Sequence, residues 1–330
     1  MRHVLLGGNG FLGRELARLL LAGRDDVLVV DLAPSLAPEL AGLKGNLQYT
    51  QADISDLARL RSVPLGRDDI VHHLASKLLI PNRPRFGRDA YFAACNVTGT
   101  GNVLRWMSEA GAAEMVFWST DMVYGPALTS PRTEEHPRRP FGPYGRSKVA
   151  AEDIVMAARK QGFRVTIFRP RLIIGPGRLG ILERLFKLIA HSLPVPLIGQ
   201  GSNRFQFISA SDCARASILA AQKRCPDLEI NLGSANPPRV YDLLSDLIHR
   251  ANSTSRIVRT PAGLVKGVLG IMAALTISPM DPEQFLIADQ DVVLDISRAA
   301  QVLNWKPADS DQDMLFAAYA TWQEGVRRAA

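Results

Sequence analysis

Two side chains set four residues apart, Tyr144 and Lys148 in the run Pro143-Tyr144-Gly145-Arg146-Ser147-Lys148, have the chemistry of a proton-transfer pair. On a helix they lie one turn apart, so phenol and ammonium face the same way. A phenol in water titrates near ~10 and is a poor acid–base group at neutral pH. A fixed ammonium beside it favours the phenolate and brings that value toward the working range. Many helices carry an exposed tyrosine and a solvated lysine at this spacing, so the pair gains meaning only from a second site that supplies a reaction.

The start of the chain offers such a site. Val4-Leu5-Leu6-Gly7-Gly8-Asn9-Gly10-Phe11-Leu12-Gly13 reads as an apolar strand, a glycine turn and the opening of a helix that runs through Leu21. That context suits a dinucleotide: Gly7 permits the tight turn, Gly10 the approach of backbone to a pyrophosphate, and Gly13 close helix–strand packing. The helix N-terminus adds N–H donors and a favourable dipole for phosphate. A second strand, Val27 to Val30, ends in Asp31. A carboxylate there accepts from the adenosine ribose hydroxyls and repels a 2′-phosphate. Leu32 and Ala33 follow it, with no arginine, so the expected cofactor is NAD rather than NADP.

Strands expected at 2–7, 26–31, 47–51, 69–74, 114–119 and 163–168 alternate with helical stretches. The pattern predicts an α/β fold, a doubly wound parallel Rossmann sheet whose nearly all-apolar strands are covered on both faces. Beyond about residue 171 the pattern changes to proline-rich turns, short strands and isolated helices. The expected division is an NAD-binding domain at 1–170, to which 205–235 return, and a smaller mixed substrate-binding lobe from 171–204 and 236–330. Phe205–Ile208 and Glu229–Leu232 are expected to rejoin the main sheet. Residues 262–277 are almost wholly apolar, shorter than the ~20 residues of a membrane span and interrupted by glycines. They read as a buried helix lining or capping a substrate pocket, with peripheral membrane contact as the alternative.

At 330 residues, 47% hydrophobic and 22% charged, the chain has the composition of a soluble globular protein. The 39 basic and 32 acidic residues leave +7, scattered and without an aromatic-interleaved basic stripe, so nucleic acid is not an expected partner. Arg83, Arg85 and Arg88, and again Arg132, Arg138 and Arg139, read as solvated loop charge. Cys95, Cys213 and Cys225 show no metal-type spacing, so no metal is expected. With no charged-then-apolar leader before His3, the expected location is the reducing cytoplasm.

Taken in order, these motifs resemble an extended short-chain dehydrogenase/reductase, the NAD-dependent epimerase/dehydratase superfamily, over nearly all of residues 1–235. Further runs carry the resemblance: Asp53-Ile54 at the adenine, His73-Leu74-Ala75-Ser76 at a strand end beside the cofactor, and Asn96-Val97-Thr98-Gly99-Thr100, whose asparagine supports the site. Ser119-Thr120-Asp121-Met122-Val123-Tyr124-Gly125 carries the catalytic hydroxyl, and Arg169-Pro170 ends the strand near the nicotinamide. The resemblance implies a catalytic set of Thr120, Tyr144 and Lys148. Tyr144 exchanges a proton with a substrate hydroxyl or ketone, Lys148 holds the cofactor ribose and depresses the tyrosine pKa, and Thr120 orients the substrate oxygen. Cofactor contacts are then expected from Gly7, Asn9, Gly10, Phe11, Leu12, Asp31, Asp53, Ile54, Leu74, Ala75, Ser76, Asn96, Ser119, Tyr144, Lys148, Arg169 and Pro170. Substrate contacts are expected from Ser76, Asp121, Met122, Arg171, Leu172, Arg204 and Phe205.

Three positions depart from the family's sugar-nucleotide members. Met122 stands where the dehydratases place a proton-shuttling glutamate, and a thioether cannot shuttle a proton. Leu172 and Phe205 stand where an asparagine and an arginine meet the substrate diphosphate, with Arg171 and Arg204 as neighbouring cations that could compensate. Each lost charge-assisted bond is worth ~1.5–3 kcal/mol. The departures are closer to the 3β-hydroxysteroid dehydrogenase and dihydroflavonol reductase branches. The expected activity is NAD-linked interconversion of a secondary alcohol and a ketone on a small molecule. The alternative is a nucleotide-sugar 4-epimerase of the UDP-glucose type with tightly held NAD. A non-catalytic NAD sensor is disfavoured because both Tyr144 and Lys148 are present. By analogy the family's dimers pair helices at roughly 89–110 and 145–161, so a homodimer is expected.

Overall fold

The computed structural model describes residues 1–79, 84–177, 180 and 182–329; Arg83 lies outside them. The strands, in chain order, are β1 (Arg2–Leu6), β2 (Asp26–Asp31), β3 (Leu47–Gln51), β4 (Ile70–His73), β5 (Glu114–Trp118), β6 (Arg164–Pro170), β7 (Leu172–Ile174), β8 (Val195–Ile198), β9 (Phe207–Ser209), β10 (Glu229–Leu232) and β11 (Ile257–Thr260). Seven of them form one sheet, ordered β10-β6-β5-β4-β1-β2-β3 and parallel throughout. This is the doubly wound arrangement that the alternation predicts. Strand order reverses between β1 and β4, and such a sheet takes its ligands outside the carboxyl ends of the strands at that switch.

Successive side chains of a strand point to opposite faces, so a central strand needs an apolar residue at every position. Leu5 of β1 joins a cluster with Leu16 and Leu20 of the helix Phe11–Ala22 and with Ala216 and Ala220 of the helix Ala210–Gln222. Val4 and Leu6 face the other way, onto Val103 and Met107 of the helix Thr100–Ala110 and Ala151 and Val155 of the helix Pro143–Arg159. The strands are not wholly apolar. His3, His72 and His73 are buried in β1 and β4, where His3 Nδ1 lies 2.8 Å from His72 Nε2 and His72 Nδ1 lies 2.9 Å from Ser217 Oγ. Burial holds all three rings well below the ordinary histidine range, to about 4 for His3 and about 3 for His73.

A separate core gathers Phe186, Leu197, Phe207, Leu247, Leu315 and Tyr319 beneath the helices Leu182–Ala190, Val240–Arg250 and Asp311–Ala329. Three expectations are corrected here. The strand expected at Phe205–Ile208 does not rejoin the main sheet: β9 pairs with β7 instead, because the edge beside β6 is already taken by β10. Residues 236–330 do not all serve the second lobe, since Ala299, Leu303 and Trp305 pack into the core of the main sheet. The apolar stretch 262–277 forms the helix Ala262–Ala274, but only Leu269 of that helix is buried. An apolar run records a preference for burial and does not say what provides it. Among the described residues, no helix is long and apolar enough to cross a membrane.

Candidate active site

The glycine turn sits where β1 ends. Gly7 has φ +80°, and a Cβ there would come within 2.8 Å of the Ala75 backbone. Any side chain at this position would push apart the ends of β1 and β4. Gly10 caps the Phe11–Ala22 helix without a side-chain cap, and the first turn carries no acidic residue. A helix N-terminus with no acidic residue in its own first turn suits a phosphate. Asp31 lies directly beside it: Oδ2 accepts from Asn9 N at 3.0 Å and Oδ1 from Ala33 N at 3.1 Å. The Asn9 side chain faces the loop after β2, bonding Ser35 O at 2.9 Å and Ala37 N at 2.8 Å. Asp53 holds its own turn through Ser55 N at 2.8 Å, and Ile54 is buried.

Asn96 lies in a π-helical turn, Ala94–Gly99, a form that often marks functional positions. Its Oδ1 accepts from Lys77 N at 2.8 Å and Ser76 Oγ at 3.1 Å, and its Nδ2 donates to Ser147 Oγ at 3.0 Å. One amide therefore fixes the chain after Leu74 and Ala75 against the helix that carries Tyr144 and Lys148.

That helix, Pro143–Arg159, begins with proline at its first position and buries Tyr144, Ser147, Lys148, Ala151, Glu152 and Val155 along one side. The Lys148 ammonium donates to Trp118 O at 2.6 Å, at the end of β5, and lies 4.8 Å from the Phe117 ring centre. Burial draws its pKa down to about 8, opposed by the negative Glu152 one turn further along. The Tyr144 ring meets Phe92 edge-on at 5.6 Å. Thr120 follows β5, and its Oγ1 accepts from Met122 N at 3.3 Å, capping the turn Asp121–Val123.

Among the substrate-side residues, three come together. Arg171 Nη1 donates to Asp121 Oδ2 at 2.8 Å, the pair is buried, and the Arg171 guanidinium lies 4.4 Å from the centre of the Phe205 ring. Leu172 is half-buried against the second core, and Met122 is half-buried beside Thr120. Arg204 is exposed, and its backbone carbonyl accepts from Val292 N at 3.1 Å. Two cofactor-side groups are already engaged within the protein. Arg169 forms a two-pronged pair with Glu152 at 2.9 and 2.7 Å, and Ser119 Oγ donates to Glu152 Oε1 at 2.5 Å. Part of the expected loop charge is likewise not solvated. Arg132 is buried, Arg88 pairs with buried Asp281 at 2.6 Å, and Arg138 pairs with Glu152 at 3.1 Å. Each sits close to a carboxylate or under a loop that spacing alone does not reveal.

The sequence profile of the NAD dependent epimerase/dehydratase family matches residues 3–233. The chain belongs to this family. Its members of this kind are enzymes, built on the extended short-chain dehydrogenase/reductase fold. Within the family the chain is 30% identical, over 97% of its length and 78% of the relative's, to an uncharacterised protein, y4nG, of Sinorhizobium fredii. It is 28% identical to the dTDP-D-glucose 4,6-dehydratase of Mus musculus, over 77% of this chain and 74% of that one. In structure it is similar to the UDP-glucose 4-epimerase of Thermotoga maritima solved with UDP-glucose, with a TM-score of 0.79 at 22% identity, covering 99% of this chain and 100% of that one.

Two residues of this family member escape motif reading. Glu152 continues the spacing of Tyr144 and Lys148 by one more turn and is fully buried among Ser119, Arg138, Arg169 and the lysine. A carboxylate four residues after the lysine on the same helix face is a signal the sequence did contain. Glu283 is different. Its carboxylate accepts from Tyr144 N at 3.1 Å and Gly145 N at 3.0 Å, closing the N-terminus of the helix from 139 residues away in the chain. A Cβ at Gly142 would overlap this carboxylate, and one at Gly145 would lie 2.6 Å from Pro140 Cβ. No local pattern announces a cap supplied from so far.

Proposed function

We propose that this enzyme interconverts a secondary alcohol and a ketone with NAD, using Tyr144, Lys148 and Thr120. The observation that carries the reading is Lys148: a buried ammonium held 2.6 Å from Trp118 O, one turn from Tyr144 and at the same strand end as Thr120. The residues at the β1 turn fit a dinucleotide, because the helix N-terminus lacks a side-chain cap and Asp31 stands at the end of β2 where a ribose would lie. Bound nicotinamide supplies the acceptor and donor of hydride at the carbon bearing the substrate oxygen. Tyr144 Oη takes the hydroxyl proton in oxidation and returns it in reduction. The Lys148 charge favours the phenolate form of that tyrosine. Thr120 Oγ1 accepts from Met122 N at 3.3 Å and donates to Asp121 Oδ1 at 3.5 Å, a long bond that the hydroxyl would exchange for one to the substrate oxygen.

Asp121 is neutralised by Arg171 and Met122 has no exchangeable proton, which speaks against elimination of water at this site. Leu172 and Phe205 give the substrate side an apolar character, which supports the hydroxysteroid- and dihydroflavonol-type readings. The second reading, a nucleotide-sugar 4-epimerase, is favoured by the names of the relatives. It uses the same residues, with hydride returned to the opposite face. A homodimer pairing the helices near 89–110 and 145–161 is part of the proposal.

The experiment is a screen of sterols, flavonoid ketones, hydroxy acids and UDP- and dTDP-sugars with added NAD or NADH, following nicotinamide absorbance and the sugar's stereochemistry. Net absorbance change identifies the dehydrogenase. Inversion of a sugar carbon without net change identifies the epimerase. No turnover of any class, with NAD bound, would overturn the catalytic reading.

A further inference from the structure

A helix apolar on all sides belongs in a protein core or in lipid. The helix Ala262–Ala274 is in neither within this chain. Leu264 is 66% exposed, Val268 49%, Ile271 67% and Leu275 62%, and Ile277 just beyond is 56% exposed. At spacings of four, three and four, the first four make one continuous stripe. The sole charge between 262 and 277, Lys266, is turned inward to Leu286 O at 2.8 Å and to Asp289. No charge therefore interrupts the stripe. The strand β11, which leads into the helix, exposes Arg259, and Arg256 just before it is exposed as well. From Arg256 to Ala288 the two carboxylates, Asp281 and Glu283, are both buried. The segment is thus apolar with a basic border and no exposed acid of its own, and the half-buried Asp289 beside it is paired with Lys266.

We propose that this helix seats the protein on an anionic lipid surface, lying in the plane of the bilayer interface with Arg256 and Arg259 toward the headgroups. A short helix with an apolar face and basic flanks is bound there by buried apolar area together with attraction to anionic lipid. A second copy of the chain is the competing occupant, and area disfavours it. A helix of 13 residues is about 20 Å long and about 10 Å wide, so it offers on the order of 200 Å². A stable dimer buries about 800 Å² per partner. Spanning the membrane is not at issue, since no described helix is long enough.

The test mixes the full chain with vesicles of phosphatidylcholine alone and of phosphatidylcholine with phosphatidylglycerol, and measures co-sedimentation at low and physiological salt. The expected result is partition onto the anionic vesicles, weakened by salt and reduced at least tenfold by the double variant Leu264→Asp/Ile271→Asp. Arg256→Glu/Arg259→Glu should reduce it several-fold. Because all these residues are exposed, the variants should keep the parent's NAD affinity, measured by calorimetry, which shows that they are folded. Failure to sediment with either vesicle would overturn the proposal. So would a concentration-dependent dimer, seen by ultracentrifugation, that the aspartate variant abolishes while vesicle binding is absent. Neither result depends on the identity of the substrate, so the lipid proposal can fail while the catalytic one stands.

Discussion

Two helix N-termini in this protein are treated in opposite ways. The helix Phe11–Ala22 opens with a glycine, no side-chain cap and no acidic first turn. The helix Pro143–Arg159 also opens after a glycine, yet its first N–H groups meet the buried carboxylate of Glu283. Both ends carry the same partial positive charge. The first has no carboxylate in its own turn, and the second is closed by one supplied from far along the chain. The difference is what the proposed roles require: a helix that recruits a phosphate needs an open end, whereas one that aims a phenol needs its end fixed.

Four changes would break or sharpen that contrast. Tyr144→Phe removes the proposed acid–base group and should lower kcat by about 10²–10⁴-fold, with NAD affinity nearly unchanged. Steady-state kinetics beside calorimetry checks this, and retained turnover would remove Tyr144 from the proton path. Glu283→Ala leaves two buried N–H groups without their acceptor, at a cost of about 1–3 kcal/mol each. A clear loss of chemical stability in urea is expected, with Glu283→Gln milder; parity of Ala with wild type would show that water replaces the cap. Gly10→Asp gives the first helix the anion that the second has. Its NAD Kd should rise about tenfold, close to 1.4 kcal/mol, and a Kd equal to the parent's would mean the dinucleotide does not use that end.

The smallest effect is on pH. Lys148 is charged below about 8 and neutral above, so kcat should fall as pH rises past that value, once saturating NAD is present. Stability moves the other way for this group. Its folded pKa lies below its ordinary value of 10.5, so between about 8 and 10.5 the unfolded chain binds more protons and the folded state gains as pH rises. Activity and melting temperature, followed together across this window, should diverge on account of Lys148; a flat kcat would show that the ammonium does not assist the phenol.

The sheet was legible because its code is local. Each central strand is a short apolar run between turn signals, and β2, β3 and β10 have the expected limits. The glycine turn and the Tyr–Lys helix were legible for the same reason. What failed depended on distant neighbours. Phe205–Ile208 has strand chemistry, but its partner was decided by β10 occupying the edge of the sheet. Arg132 and Arg138 look like loop charge until folding buries the first near Asp121 and brings Glu152 against the second. Residues 262–277 show the limit most clearly, since their composition demands a cover that the sequence does not identify.

The reach of Glu283 also sets an order of completion. A ribosome releases the glycine turn early, and the strands that follow can assemble around it as they emerge. The helix that carries Tyr144 and Lys148 has its N-terminal cap only when residue 283 arrives. A nascent or clipped chain ending before that point would lack the carboxylate that closes this helix, so an element laid down near the middle of the chain is completed from its far end.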